Sequence, residues 1–227
     1  MKEFDPEKFR EMVRTHWRRD DPLGWFERIY KNADGDHTAV FWADLHPNPH
    51  LVSWLKVHPA TRERRRAIAI GCGVGDDAEA LASYGYEVTA FDISPSAIAL
   101  CRQRYPESSV NYLVADLFVY PKAWKGTFDL VYECNTIQVL PGLYRERAIK
   151  AMTELLAPGG EILVSCRSRQ KDKDHDAIPL PLDREEIDSF KRLGLVEKSF
   201  LAYDDDQIPS VPHFFATYRN ETADPDR

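Results

Sequence analysis

Three groups of residues have the types and spacing to do chemistry together. The first is Ala67-Ile68-Ala69-Ile70-Gly71-Cys72-Gly73-Val74-Gly75-Asp76-Asp77, a short apolar run that breaks into a glycine-rich turn before a helix. Such a turn lets the backbone approach a ligand closely at the end of a strand. The second is Asp92, which ends Glu87-Val88-Thr89-Ala90-Phe91 about 20 residues beyond Gly71. A carboxylate there accepts from both hydroxyls of a ribose. The third is Asp116, which closes Val110-Asn111-Tyr112-Leu113-Val114-Ala115 near the same sheet edge. It accepts a hydrogen bond from an adenine amino group.

These residues act together only if strands and helices alternate. From Arg66 onward the rhythm is β-rich runs separated by helical stretches: Ala67–Ile70, Asp76–Tyr84, Glu87–Phe91, Pro95–Tyr105, Val110–Val114 and Phe128–Tyr132. That alternation predicts a parallel sheet covered on both faces, with ligands outside the carboxyl ends of its strands. A helix over Tyr144–Leu156, a Pro158-Gly159-Gly160 turn and an apolar strand over Glu161–Ser165 continue it. A capped helix near Asp183-Arg184-Glu185-Glu186 follows. Candidate strands at Leu195–Ala202 and His213–Tyr218 then read as an antiparallel closing pair.

Before residue 60 the pattern is helical and aromatic. Phe4, Phe9, Met12, Val13, His16 and Trp17 recur near a 3.6-residue period, and Leu23, Trp25, Phe26, Ile29 and Tyr30 form a second such set. Asp20-Asp21-Pro22 supplies a cap for the second helix, and Pro47-Asn48-Pro49 starts a third that ends before Pro59. A loop between them carries Phe41 and Trp42. The organisation expected is a helical cap over residues 1–60, an α/β domain over 61–220 and a polar tail over 221–227, with cap and α/β region forming one domain.

Composition narrows the partners. Hydrophobic residues make up 43% and charged residues 30%, an ordinary globular balance. No apolar run approaches the roughly 20 residues that span a bilayer, and the acidic, polar start does not read as a signal peptide, so a cytoplasmic protein with no membrane partner is expected. The net charge of −7 argues against nucleic acid. The basic run Arg62 to Arg66 is interrupted by Glu63 and reads as a solvated lead-in to the first strand. Cys72, Cys101, Cys134 and Cys166 stand far apart with no zinc-site spacing, so reduced, mostly buried thiols and no metal are expected. Asp204-Asp205-Asp206 lacks the alternation of a calcium loop and reads as a solvated turn, and so does Lys171-Asp172-Lys173-Asp174-His175.

With these motifs in hand, residues 66–166 resemble the class I S-adenosylmethionine-dependent methyltransferases. The glycine turn, the ribose acid, the adenine-side acid, the aspartate-led strand Phe128-Asp129-Leu130-Val131-Tyr132-Glu133 and the turn Leu156-Ala157-Pro158-Gly159-Gly160 occur in that family's order. The resemblance implies a Rossmann-like, doubly wound, mostly parallel seven-stranded α/β sheet with an antiparallel last strand and an N-terminal helical cap. It implies S-adenosylmethionine as cofactor, contacted by Gly71, Cys72, Gly73, Gly75, Asp92, Ile93, Asp116, Leu117, Glu133 and Trp42. Cys134-Asn135-Thr136-Ile137-Gln138 would line the crevice between cofactor and substrate. The aromatic cap with Trp17, Trp25 and Trp42, together with Phe128 to Leu140, resembles the thiopurine, thiol and halide methyltransferase group, which implies a small soft nucleophile as acceptor.

A sulfonium cofactor carries its own electrophile, so alignment and exclusion of water are the main demands. A thiol or halide needs no protein base, which fits a chain with no obvious catalytic dyad. For an amine or hydroxyl the groups of suitable kind are Glu133, His37, His46, His175 and His213, and spacing selects none. The rival readings are a nicotinamide or flavin oxidoreductase and a non-catalytic S-adenosylmethionine-binding protein. Against the first, position 76 is aspartate where a dinucleotide fingerprint takes glycine or alanine, and Asp76 with Asp77 would repel pyrophosphate.

Overall fold

The computed structural model describes residues 5–19, 21–60, 65–171 and 178–222. Phe4, Asp20, Arg62, Glu63, Arg64, the span 172–177 with His175, and the tail from 223 lie outside the described residues.

Three helices open the chain, the first and third with side-chain caps. Asp5 accepts from the Glu7 and Lys8 amides ahead of α1 (Pro6–Arg18). Asp21 accepts from Gly24 N at 2.9 Å, so α2 (Gly24–Asn32) starts two residues beyond Pro22, the first-turn proline the sequence pointed to. Asn48 caps α3 (Pro49–Val57), which ends before Pro59 as expected.

The α/β alternation is present throughout. Strand β1 (Arg66–Ile70) leads into α4 (Asp76–Ser83), β2 (Glu87–Asp92) into α5 (Pro95–Arg104), and β3 (Asn111–Val114) follows. Beyond them come β4 (Phe128–Cys134), α6 (Gly142–Leu155), β5 (Leu156–Arg167), the short helices α7 (Arg184–Ile187) and α8 (Ser189–Arg192), and the pair β6 (Val196–Asp204) and β7 (Pro212–Arg219). The seven strands lie in the order β3-β2-β1-β4-β5-β7-β6. Pairs β1/β4, β2/β3 and β4/β5 are parallel, and β7 is antiparallel to both β5 and β6. This is the doubly wound fold with an antiparallel last strand that the sequence predicts.

The start of β5 also differs from the expected boundary. The Pro158-Gly159-Gly160 turn is drawn into β5, because Gly159 N donates to Asn220 O at 2.8 Å and Asn220 N donates to Gly160 O at 2.9 Å. Pairing across the sheet overrides the local turn signal, leaving a register irregularity between Phe128 and Leu130 on β4.

Residues group into two compact units, Met1–Arg64 with Gly71–Asp116, and Arg65–Ile70 with Leu117–Arg227. In the first, Tyr30, Ala33, Val40, Val74, Ala97 and Leu100 are buried together, with Trp42 packed against them. In the second, Ile68, Leu130, Val131, Ile162, Leu163 and Val164 are fully buried, which is why β1, β4 and β5 read as continuous apolar runs. Burying each such side chain contributes about 1.5–3 kcal/mol.

The aspartate that leads β4 has a structural task within the second unit. Asp129 Oδ2 accepts from Arg66 N at 2.8 Å, which fixes the start of β1, while the Arg66 guanidinium lies over the Phe128 ring. No helix among the described residues is long and apolar enough to cross a membrane.

Candidate functional site

In the first unit the glycine turn and the acid of β2 are joined directly. Gly71, Gly73 and Gly75 all take positive φ. Asp92 Oδ2 accepts from Gly73 N at 3.1 Å and Oδ1 accepts from Ser94 N at 2.9 Å, so one carboxylate ties the turn to the loop after β2. Cys72 N donates to Phe91 O and Ala115 N to Asp92 O, which holds the ends of these segments together. Asp92 is 5% exposed, and burial pushes its carboxyl up to about 6 against the opposing pull of the Ser94 and Gly73 amides. Ile93 and Asp116 are half-buried. Leu117 and Glu133 belong to the second unit.

Gly75 is the helix's left-handed N-cap, at φ +97. A Cβ there would stand 2.7 Å from the Tyr112 hydroxyl and 3.2 Å from Cys101 Sγ. Gly75→Ala is expected to cost about 2 kcal/mol in stability through backbone strain and this clash, read as a lower urea midpoint with an unchanged slope.

The two acids after Gly75 are both engaged. Arg104 donates twice to Asp76, at 2.8 and 2.9 Å, and the Tyr105 hydroxyl adds a bond at 3.0 Å. Asp77 accepts from Asn48 N at 2.6 Å. The expectation that these charges repel pyrophosphate therefore loses its force at Asp76, where the guanidinium neutralises the carboxylate; the residue type at position 76 still departs from the dinucleotide fingerprint.

The cap meets this region through contacts with no local sequence signal. Glu27 of α2 accepts from Ser94 Oγ at 2.6 Å, Ser96 N at 3.1 Å and Ser96 Oγ at 2.8 Å. Tyr30, one turn on, accepts from Trp42 Nε1 at 3.2 Å. Trp42 sits in its loop as expected, half-buried among Phe9, Trp25, Tyr30 and Phe41. Trp25 is 1% exposed and donates to Pro22 O, which makes it core. The Trp17 indole nitrogen is buried without a partner.

In the second unit Glu133 stands at the end of β4, in register with Ile70 of β1, and is fully buried. Asn135 turns the chain with φ +61, and Glu133 Oε1 then accepts from Thr136 N at 2.7 Å and Ile137 N at 3.0 Å. Its Oε2 is buried with no partner. Burial pushes the carboxyl up to about 8, against those two amides and the Arg145 charge. Arg145 Nε donates to Ile137 O, and its other nitrogens reach Glu186 and Leu180 O, so α6 braces the turn that holds Glu133.

Of the stretch expected to line a crevice, Gln138 spends its side chain on Arg167 N and is buried. Among the histidines considered as bases, His37 and His46 stand in the cap segment, and His213 stacks on Tyr203. None of the four cysteines is in a disulfide; Cys101 and Cys166 are buried and Cys72 and Cys134 half-buried. Asp205 accepts from the Gln207 and Val211 amides, as a turn carboxylate does.

Residues 67–160 match a family described as a methyltransferase domain. The chain is 34% identical over 43% of its length to nodulation protein S of Sinorhizobium fredii, of which it covers 45%. It is 30% identical over 54% of its length to a ubiquinone biosynthesis O-methyltransferase of Thiobacillus denitrificans, of which it covers 52%. The chain thus spans about half the length of these curated relatives. Among solved structures, the N-methyltransferase NodS of Bradyrhizobium japonicum, bound to S-adenosyl-L-homocysteine, superposes with a TM-score of 0.65 at 20% identity, covering 86% of this chain and 99% of that one. At that identity the likeness speaks for the fold alone.

Proposed function

We propose that this chain is a class I S-adenosylmethionine-dependent methyltransferase and methylates a small-molecule acceptor. The observation that carries the reading is the Asp92 carboxylate tied to Gly73 N, which places an acid beside the glycine turn at the end of β2. The residues fit the cofactor: a turn at Gly71, Cys72, Gly73 and Gly75 whose positive-φ glycines let the backbone approach a ligand closely, a carboxylate for two ribose hydroxyls at Asp92 with Ile93 beside it, and Asp116 with Leu117 for adenine. Trp42 and Glu133 complete the proposed set. When bound, S-adenosylmethionine supplies a methyl group made electrophilic by the sulfonium.

The chain's own residues then bind, orient and exclude water. Asp92 holds the ribose, and the aromatic cluster around Trp42 shields the turn from solvent. Within this reading the acceptor class we favour is a thiol or other soft nucleophile, which ionises readily and needs no protein base. A hydroxyl or amine acceptor is the second reading, favoured by the unpartnered Oε2 of Glu133, which is available to take a proton. The relatives above, an O-methyltransferase and an N-methyltransferase by name, point the same way.

Calorimetric titration with S-adenosylmethionine and, separately, NADH tests the main reading. Binding of the former alone is the expected result; binding of NADH alone, or of neither, overturns it. Acceptors are then separated by methylation of thiol, halide, hydroxyl and amine panels, followed as S-adenosyl-L-homocysteine release. A rate that rises through about pH 8 for hydroxyls or amines, with Glu133→Gln removing the rise, would decide for the second acceptor class.

A further inference from the structure

Tyr30 lies in the cap, yet its hydroxyl stands at the crest of the glycine turn: a Cβ built on Gly73 would be 3.1 Å from the Tyr30 oxygen. That oxygen accepts from Trp42 Nε1 at 3.2 Å, and among the described residues no acceptor takes its own hydrogen. The ring is 4% exposed, so the hydroxyl is held in place with one donor unspent. Burial and the nearby Asp92 charge both push its ionisation far upward, which keeps it a neutral donor.

Its position is not incidental to α2. Glu27 precedes Tyr30 by three residues and so shares its helix face, and it is fixed by three hydrogen bonds from Ser94 and Ser96. Ser94 N in turn donates to Asp92. The helix carrying Tyr30 is thereby pinned to the same loop as the acid beside the turn, and Trp42 fixes the rotation of the hydroxyl.

Resting on the function proposed above, we infer that Tyr30 is a ligand-binding residue: its hydroxyl donates to the carboxylate of the methionyl end of S-adenosylmethionine. The chemistry selects that group, because the fixed O–H donor at the turn needs an acceptor, the ribose hydroxyls are assigned to Asp92, and the cofactor's ammonium and sulfonium offer none. Trp42 is a positioning residue for this contact, and Glu27 anchors the helix that delivers it.

The test compares two ligands by calorimetry on the full chain: S-adenosyl-L-homocysteine, and the same thioether lacking its carboxylate. Tyr30→Phe is expected to weaken the first about tenfold and to change the second less than twofold, with a thermal midpoint close to that of the parent. Trp42→Phe, which removes the indole N–H but keeps an aromatic ring, is expected to weaken the first about threefold with the same discrimination. Equal losses for both ligands, or none for either, would overturn the assignment of Tyr30 while leaving the cofactor reading intact. Failure of the parent chain to bind S-adenosyl-L-homocysteine at all would instead overturn the function on which the inference rests.

Discussion

Asp92→Ala is expected to reduce S-adenosylmethionine affinity at least about 100-fold, the loss of two charge-assisted hydrogen bonds at roughly 1.5 kcal/mol each. The carboxylate has two tasks that the substitution removes together. It receives the ribose hydroxyls in the proposed complex, and it receives Gly73 N and Ser94 N in the structure itself. Asp92→Asn separates them, since the amide retains one oxygen and nearly the same shape. It should keep a thermal midpoint closer to the parent than alanine does and still bind weakly. A pH dependence follows from the same group. Its carboxyl is pushed up to about 6 by burial, so the ionised acceptor is lost as the pH falls through that value, and affinity in the parent should decline below pH 6. In Asp92→Asn the calorimetric profile over pH 5–8 should be flat. A parent profile equally flat would show that Asp92 is not the ribose acceptor.

The second large effect concerns Glu133 and stability. An ordinary glutamate ionises near 4.5, whereas in the fold this carboxyl is pushed up to about 8 because it is fully buried. Arg145 on α6 faces it favourably, and buried Cys166 on β5 feels its charge. Between those two values the unfolded chain has released the proton and the folded chain retains it, so the unfolded state binds fewer protons and stability falls as pH rises. The loss is absent below about pH 4.5 and complete above about pH 8. Glu133→Gln keeps an oxygen for the Thr136 and Ile137 amides but carries no charge. The variant is expected to match the parent in urea midpoint near pH 4.5 and to exceed it at pH 8.5 by about 5 kcal/mol. Parallel pH profiles for parent and variant would remove Glu133 as the cause, and with it the buried, unpaired oxygen as a stored cost of the fold.

Much of this molecule is legible locally. The alternation of apolar runs with helical stretches specifies the sheet and its parallel part, because side-chain periodicity alone decides which segments bury two faces. Caps are equally readable: Asn48 and the Asp183/Glu186 box each bond to amides two or three residues away. The Gly71-Cys72-Gly73-Val74-Gly75 turn announces itself because positive φ is needed at three closely spaced positions. Asp92 and Asp116 follow from their places at strand ends.

The rest depended on which distant polar groups share a buried volume, and composition does not encode that. Asp76 reads as a free acid until Arg104, 28 residues on, closes against it. Glu27 looks like one more surface carboxylate on an amphipathic helix until packing sets it on Ser94 and Ser96, separated by 67 and 69 residues. The Pro158-Gly159-Gly160 turn yields to pairing just beyond β7, where Gly159 N donates to Asn220 O and Asn220 N to Gly160 O, partners about 60 residues away. Sequence by itself therefore determined the fold class, the glycine turn and the acids that end the strands, through short-range periodicity and backbone sterics. Tertiary structure alone decided that Tyr30 meets Gly73, that Asp129 holds the start of β1 and that Glu133 keeps an oxygen without a partner, because burial prices each polar group by its neighbours in space.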